Sequence, residues 1–277
     1  MALVVNTNVA ALDAYRNLTV SSMSMDSSMQ KLSSGSRINS AADDASGLVI
    51  SENLKSQVGG LKVAINNAQD GISVTQTADG ALTEVDAMLQ RMRDLAVQSA
   101  NAGANGGNTG NAVAAAQAEV AQLISEVTDI ANNTQFNGQS LLNVATTLTF
   151  QVGANAGQTI DVTTADVTAS TLGISAIDFT TAAGAASAAI STIDAAISTV
   201  NTFRGTLGAT QNRLQDVVSN LSVTAQNLTA SESRISDTDM AEEMTNYTKN
   251  QILVQAGTAM LAQANSSASS VLTLLKG

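Results

Sequence analysis

The sequence predicts a mainly α protein: long antiparallel helices forming a coiled-coil or bundle rod, with a small β-hairpin region at the chain reversal. Three observations carry this. Apolar residues recur alternately four and three positions apart along both ends of the chain, the spacing of a coiled-coil seam. None of the 277 residues is proline, the residue that most disrupts helix interiors. Between the helical stretches the period shortens to two over a few residues, as in a half-buried strand.

The first seam runs Ala11, Tyr15, Leu18, Ser22, Met25, Met29, Leu32 and stops at Ser33-Ser34-Gly35-Ser36, where Ser and Gly favour a loop. Ser40-Ala-Ala-Asp43 has the shape of a capping box and predicts the next helix start. From there the seam continues Leu54, Val58, Leu61, Ile65, Ala68, Ile72. It slips by three at Thr75 and Ala78, then resumes through Leu82, Val85, Leu89, Met92, Ala96. A three-residue slip overwinds a coil locally without ending it. Asn101–Gly110, rich in Gly and Asn, reads as a loop. A third helix carries Val113, Ala116, Val120, Leu123, Val127 and Ile130 and ends near Asn132-Asn133, with a turn at Asn137-Gly138.

Leu148, Phe150 and Val152, then Ile160 and Val162, alternate with polar residues on either side of Gly153–Gly157, which predicts a β-hairpin. The Thr/Ser/Ala-rich stretch 163–183 has little periodicity and reads as loop. The longest seam, Ala186 to Leu228, predicts a helix from 185 to 230, roughly 70 Å long at 1.5 Å per residue. Asp239 and Glu242 fit a further N-terminal cap, followed by Met240, Met244, Tyr247, Gln251, Val254, Thr258, Leu261, Asn265, Ala268, Leu272 and Leu275. Helices thus flank a small β element, so the N-terminal helices run out and the C-terminal ones return beside them. The terminal seams are poor, interrupted by Ser22, Gln251, Thr258 and Asn265. Such a pair buries too little apolar area to offset about 1–2 kcal/mol per residue of backbone entropy. The ends are therefore expected to fold loosely in the free chain and to order when many copies pack.

Composition excludes most catalysis. Without His or Cys the chain can build neither a usual zinc site, nor a Ser-His-Asp or Cys-His pair, nor a disulfide. Tyr15, Phe136, Phe150, Phe179, Phe203 and Tyr247 are the only aromatics, too few for a ring-lined pocket. The net charge is −11, and no Lys or Arg occurs from Leu95 to Phe203, which argues against nucleic acid or anionic membrane as partner. No apolar run approaches the roughly 20 residues of a membrane span. The first residues lack the basic and apolar regions of a cleaved secretory signal. No phosphate-cradling glycine motif with its lysine is present. Asp43-Asp44 and Asp237, Asp239, Glu242, Glu243 fall at helix starts, where carboxylates cap N–H groups and complement the dipole. No enzymatic activity and no cofactor is expected.

Several long blocks are similar to those of bacterial flagellins. They are Asn6-Thr-Asn8; 32–44 (LSSGSRINSAADD) with Gly47-Leu48; 89–101 (LQRMRDLAVQSAN); and Thr134-Gln-Phe-Asn-Gly138. In the C-terminal half they are 232–239 (ESRISDTD), 249–265 (KNQILVQAGTAMLAQAN) and Val271-Leu-Thr-Leu-Leu275. Together they span nearly the whole chain, in the family's order. The resemblance implies a structural subunit of the flagellar filament, for swimming motility, exported through a type III apparatus without a cleaved signal and located outside the cell. It implies an inner core domain of paired terminal helices (1–42 with 235–277), a helical shell domain (43–140 with 184–234) and its hairpin and loops (141–183). Large outer domains are absent, since the chain returns to helix soon after Phe179. Ala268 stands where related tails often carry proline. A hook–filament junction protein is the alternative within the family; the complete C-terminal block favours flagellin.

The resemblance also assigns sites. Arg91, Leu95 and Glu119 fall where the family contacts host Toll-like receptor 5, and the same residues serve subunit–subunit contact. Arg91 and Leu95, four apart, are expected to present a charge and an apolar knob on one helix face. Val271, Leu272, Leu274 and Leu275 resemble the tail bound by the export chaperone, and equally suit packing of the terminal helix. Gln151, Gly153, Asn155, Gly157 and Ile160 belong to a hairpin used in supercoil switching. Leu18, Met25, Met29, Leu32, Met244, Tyr247, Val254 and Leu261 form the polymerisation seam. The expected partners are further copies of the chain, the filament cap and hook-associated junction proteins, the chaperone and the receptor. Thr163–Ser191 reads as either a glycan-bearing or a plain solvated loop.

Overall fold

The computed structural model describes residues 7–101, 110–180 and 184–276, with side chains as far as Ser267. The expected loop between Asn101 and Gly110 and the side chains of Val271, Leu272, Leu274 and Leu275 lie outside the described residues. Among the described residues the order is α1 (Val9–Ser34), α2 (Ala45–Ala100), α3 (Asn111–Asn133), β1 (Gln135–Phe136), β2 (Gln139–Ser140), β3 (Thr147–Gln151), β4 (Thr159–Thr163), α4 (Ala185–Ser236) and α5 (Met240–Lys276). The mainly α class with one small hairpin region is what the periodicity predicts. The chain divides into unit 1, residues 1–56 with 227–277, and unit 2, residues 57–226.

In unit 1, α1 and α5 run antiparallel. Asn8 caps α1, its Oδ1 accepting from the Ala11 amide at 3.1 Å, while its Nδ2 donates to the Ala264 carbonyl at 2.9 Å. Gly35 ends α1 in the left-handed conformation (φ 72°), as the Ser/Gly break predicts. The next helix starts later than the Ser40–Asp43 box suggests. Asp43 is occupied by the turn itself, accepting from the Asn39 and Ser40 amides at 3.1 and 2.8 Å and from the Ser40 hydroxyl. The neighbouring Asp44 caps α2 instead, accepting from the Gly47 amide at 2.8 Å. At the other linker, Asp239 accepts from the Ala241 amide at 2.9 Å and starts α5 as expected.

Unit 2 is a bundle of α2, α3 and α4 with the strands packed against it. On α4, Ile193, Val200, Leu207, Leu214 and Leu221 are buried at intervals of seven, the signature of one continuous seam. The helix runs to Ser236, past the expected end at 230. The slip in α2 leaves the helix unbroken, and Thr75, fully buried, bonds its hydroxyl to the Ile72 carbonyl at 2.8 Å. Asn137 (φ 50°) and Gly138 (φ 77°) make the two-residue turn between β1 and β2. β3 and β4 pair antiparallel, with Leu148 opposite Val162 and Phe150 opposite Ile160, matching the alternation.

The stretch after β4 is irregular, as its lack of period predicts, but Thr163–Ser191 is not the plain solvated or glycan-bearing loop expected, and from Ala185 it is already helix. Ahead of that helix the segment has no regular structure, yet Val167, Ile174 and Phe179 are at most 1% exposed and belong to the core. Its backbone is held by partners distant in sequence. Gln117 donates to the Ile177 carbonyl (3.0 Å) and accepts from the Phe179 amide (2.8 Å), and the Val167 amide donates to Leu142 (2.8 Å). Such a segment satisfies its buried polar groups singly, so it leaves no period in the sequence.

Adjacent glycines in α2 have opposite environments. Gly59 has open space where a Cβ would point, whereas a Cβ on Gly60 would lie 3.0 Å from the Ala154 Cβ. Gly59→Ala should raise stability by about 0.5–1 kcal/mol through helix propensity. Gly60→Val should lower it by about 1–3 kcal/mol through overpacking. Urea unfolding of the two full-length variants checks both signs.

Candidate functional surface

The terminal helices meet through small residues. The covered positions on α1 include Ala11, Ala14, Leu18, Ser21, Met25, Ser28 and Leu32; those on α5 include Tyr247, Asn250, Val254, Gly257, Leu261 and Ala264. Spacings of three and four are kept, but the seam lies one position off the expected one at alternate steps. Ala14 replaces Tyr15, Ser28 replaces Met29, and Gly257 replaces Thr258. Of the eight expected seam residues, Leu18, Met25, Leu32, Tyr247, Val254 and Leu261 are covered, while Met29 and Met244 are about half exposed. Close approach explains the shift: a Cβ on Gly257 would lie 3.3 Å from Leu18 Cδ1 and 3.8 Å from its Cα, a spacing that large seam residues would not permit.

The consequence is an apolar exterior. Thirteen of the seventeen exposed large apolar side chains among the described residues lie in unit 1, the smaller unit. They include Val9, Leu12, Tyr15 and Val20 on α1 and Ile252, Leu253 and Met260 on α5, at 44–63% exposure. Apolar surface this extensive, on a helix pair with a narrow seam, marks an interaction surface.

The two linkers of unit 1 are stitched together. The Arg37 amide and guanidinium donate to Ser236 and Ile235 carbonyls, each at 2.6 Å; the Thr238 amide donates to Gly35 at 3.0 Å; and Ser36 bridges Asp237. The Asn8 cap had a readable local signal, Asn before an apolar run. Arg37 had none, because its partner lies 198 residues away.

In unit 2 the β3–β4 loop is closed by its own glutamines. Gln151 Nε2 donates to the Gly153 and Asn155 carbonyls (2.9 and 2.6 Å), and Gln158 Oε1 accepts from the Asn155 amide (3.0 Å). Gly157 takes φ 82°, and a Cβ on Gly153 would collide with Gln158. Ile160 is buried. The hairpin seats on α2 through Gly60, Asn67 and Gly71, on one helical stripe; Asn67 Nδ2 donates to the Gln151 carbonyl at 3.0 Å. These three seat residues were not anticipated, although two mid-helix glycines were a visible signal.

Arg91 and Glu119 form an ion pair at 2.7 Å across α2 and α3. The Glu119 carboxylate, by hydrogen bond and charge, raises the Arg91 pKa. Leu95 differs from expectation. It is only 3% exposed, turned into the core, so no apolar knob stands beside the arginine. Four residues along a helix is not a whole number of turns, and here the step carries the side chain to the inner face. Arg93–Asp194 (2.7 Å) and Arg204–Asp79 (2.9 Å) link α2 to α4, and Asp194, like Glu119, draws its cation from outside the base-free stretch.

The chain matches the model of the bacterial flagellin N-terminal helical region over residues 5–147 and that of the C-terminal helical region over 190–275. It is 47% identical to a flagellin of Halalkalibacterium halodurans over 277 residues, covering 99% of this chain and 100% of that one. The chain belongs to the bacterial flagellin family. The flagellar filament 33 kDa core protein of Treponema phagedenis is 44% identical over 290 residues, covering 99% of this chain and all of that one. A crystal structure of Bacillus cereus flagellin matches with TM-score 0.50 and 31% identity, covering 60% of this chain and 94% of that one. Flagellins are structural filament proteins, not enzymes. Among the described residues no acidic cluster is arranged to hold a metal, and no helix is long and apolar enough to cross a membrane.

Two carboxylates pin the irregular segment of this flagellin. Asp178 accepts from the Thr180 hydroxyl and amide at 2.6 and 2.7 Å, which lowers its pKa. Burial raises that of Asp166, but hydrogen bonds from Thr168 and Thr171 outweigh it and the net shift is also downward. Carboxylates with depressed folded pKa stabilise above the unfolded value near 4 and lose that contribution as pH falls through the folded value. The thermal midpoint of unit 2 should therefore hold above about pH 5 and fall as pH drops below about 4. Asp178→Asn should start lower at neutral pH and fall less steeply, as scanning calorimetry of the full chain would register.

Proposed function

We propose that this flagellin polymerises into the filament that converts flagellar motor torque into thrust. The observation that carries the reading is the concentration of exposed large apolar side chains on unit 1. A lone helix pair with that exterior gains little from folding by itself. Neighbouring copies that cover both outer faces supply the missing burial, at about 25 cal/mol per Å² of apolar surface removed from water. In the polymer, 1–42 with 235–277 form the inner core, 43–140 with 184–234 the shell, and 141–183 its hairpin region. The docked β3–β4 hairpin, built on Gln151, Gly153, Asn155, Gly157 and Ile160, is the element that takes part in supercoil switching. A mainly α chain with loosely held ends also suits export in unfolded form through a type III apparatus to the cell exterior. There the growing end meets the cap and hook-associated junction proteins.

The apolar tail Val271, Leu272, Leu274 and Leu275 is the segment the export chaperone covers before assembly. The Arg91–Glu119 pair is the group offered to Toll-like receptor 5, with buried Leu95 fixing the helix behind it. Near-complete mutual coverage with curated flagellins supports a filament subunit over a junction protein.

Ile252 is 59% exposed, so Ile252→Asp should leave unfolding of the free chain within about 0.5 kcal/mol of the parent. Elongation on filament seeds, followed by light scattering and electron microscopy, should fall more than about tenfold, since a charge would be buried unpaired at the contact. Elongation at the parent rate would contradict the reading.

A further inference from the structure

Sulfur is unevenly placed in this chain. Of nine methionines, Met23, Met29, Met240, Met244 and Met260 are 48–63% exposed, and all five lie in unit 1. In unit 2, Met92 is fully buried and Met88 is partly buried against the core. The large apolar side chains exposed on unit 2, among the described residues, are all valines. Leu and Met have nearly equal helix propensity and similar apolar bulk, so burial against a neighbour does not require sulfur. The thioether adds one chemical property that leucine lacks: it takes up oxygen.

With hydrogen peroxide the reaction is a two-electron transfer. The thioether sulfur attacks one peroxide oxygen, the O–O bond breaks, and the other oxygen leaves as hydroxide, which takes the proton from the transferred oxygen and becomes water. Sulfur is oxidised to sulfoxide and peroxide is reduced. The product is polar, with a strong acceptor on a side chain that was apolar. At an exposed position in the free chain that acceptor is solvated and harmless. On a face that a neighbouring copy must cover and dry, it is left without a donor. The chain has no cysteine to intercept the oxidant first.

We infer that these five methionines form a reversible oxidation-sensitive patch: peroxide acting on the free chain converts them to sulfoxides and blocks addition to the filament, and reduction of the sulfoxides restores it. The inference rests on the filament reading above. Once the faces are covered, the same sulfurs are shielded, so the assembled polymer resists the oxidant that stops its growth.

The test treats free full-length chain with hydrogen peroxide, maps oxygen uptake by peptide mass spectrometry, and measures seeded elongation. Uptake at Met23, Met29, Met240, Met244 and Met260, with Met92 spared, should accompany at least a tenfold loss of elongation. Treatment with methionine sulfoxide reductases and a thiol reductant should restore the rate. A chain carrying M23L, M29L, M240L, M244L and M260L should elongate equally before and after peroxide. Preformed filaments should take up oxygen at these positions several-fold more slowly than free chain. Undiminished elongation of fully oxidised chain would overturn the inference, as would equal peroxide sensitivity of the leucine variant. Failure of the untreated chain to extend seeds would instead remove the filament reading on which it stands.

Discussion

The close approach of α1 and α5 is the constraint on which the molecule's behaviour turns. Gly257 lets α5 settle against the Leu18 side chain and backbone, and Ala14, Ser21, Ser28 and Ala264 keep the rest of the seam narrow. A narrow seam cannot absorb the large apolar residues of the two helices. Tyr15, Met23, Met29, Met244, Ile252 and Leu253 are left outside. The two helices are thus held in register by small contacts and by the Asn8–Ala264 bond, while most of their described large apolar side chains are exposed. Wide knobs at the seam would have made a stable pair with a polar exterior.

Unit 2 solves the opposite problem. Its helices bury leucine, isoleucine and valine at full heptad spacing, and the strands and irregular segment close the core. Ion pairs between exposed partners add little to stability and serve more to align α2 with α3 and α4. One chain therefore carries a self-sufficient unit and a unit whose apolar faces remain uncovered. That contrast suits a subunit that polymerises with further copies of itself.

The helices, the hairpin register and the Asn137-Gly138 turn were legible because each is specified by residues close in sequence. Period seven on α4, period two on β3 and β4, and positive-φ turn residues are local signals. The seam of unit 1 was legible in spacing but not in phase. A three–four alternation and a four–three alternation share every second residue, and counting four first from Ala11 and from Met240 selects Tyr15, Met29 and Met244. Tertiary contact covers Ala14, Ser28 and Glu243 instead. The Ser40–Asp43 box misled because Asp43 serves the preceding turn and Asp44 caps the helix. Leu95 and the core role of Phe179 depend on partners across the fold, as does Arg37, and no local pattern encodes them.

Amide hydrogen exchange measured on free chain and on filament addresses the central claim most directly. Amides of α1 and α5 should exchange within seconds to minutes in the free chain and become strongly protected in the filament, while the α2–α4 core of unit 2 is protected in both. Equal, strong protection of α1 and α5 in the free chain would show that the helix pair is stable by itself, and would contradict an account in which neighbouring copies supply its order.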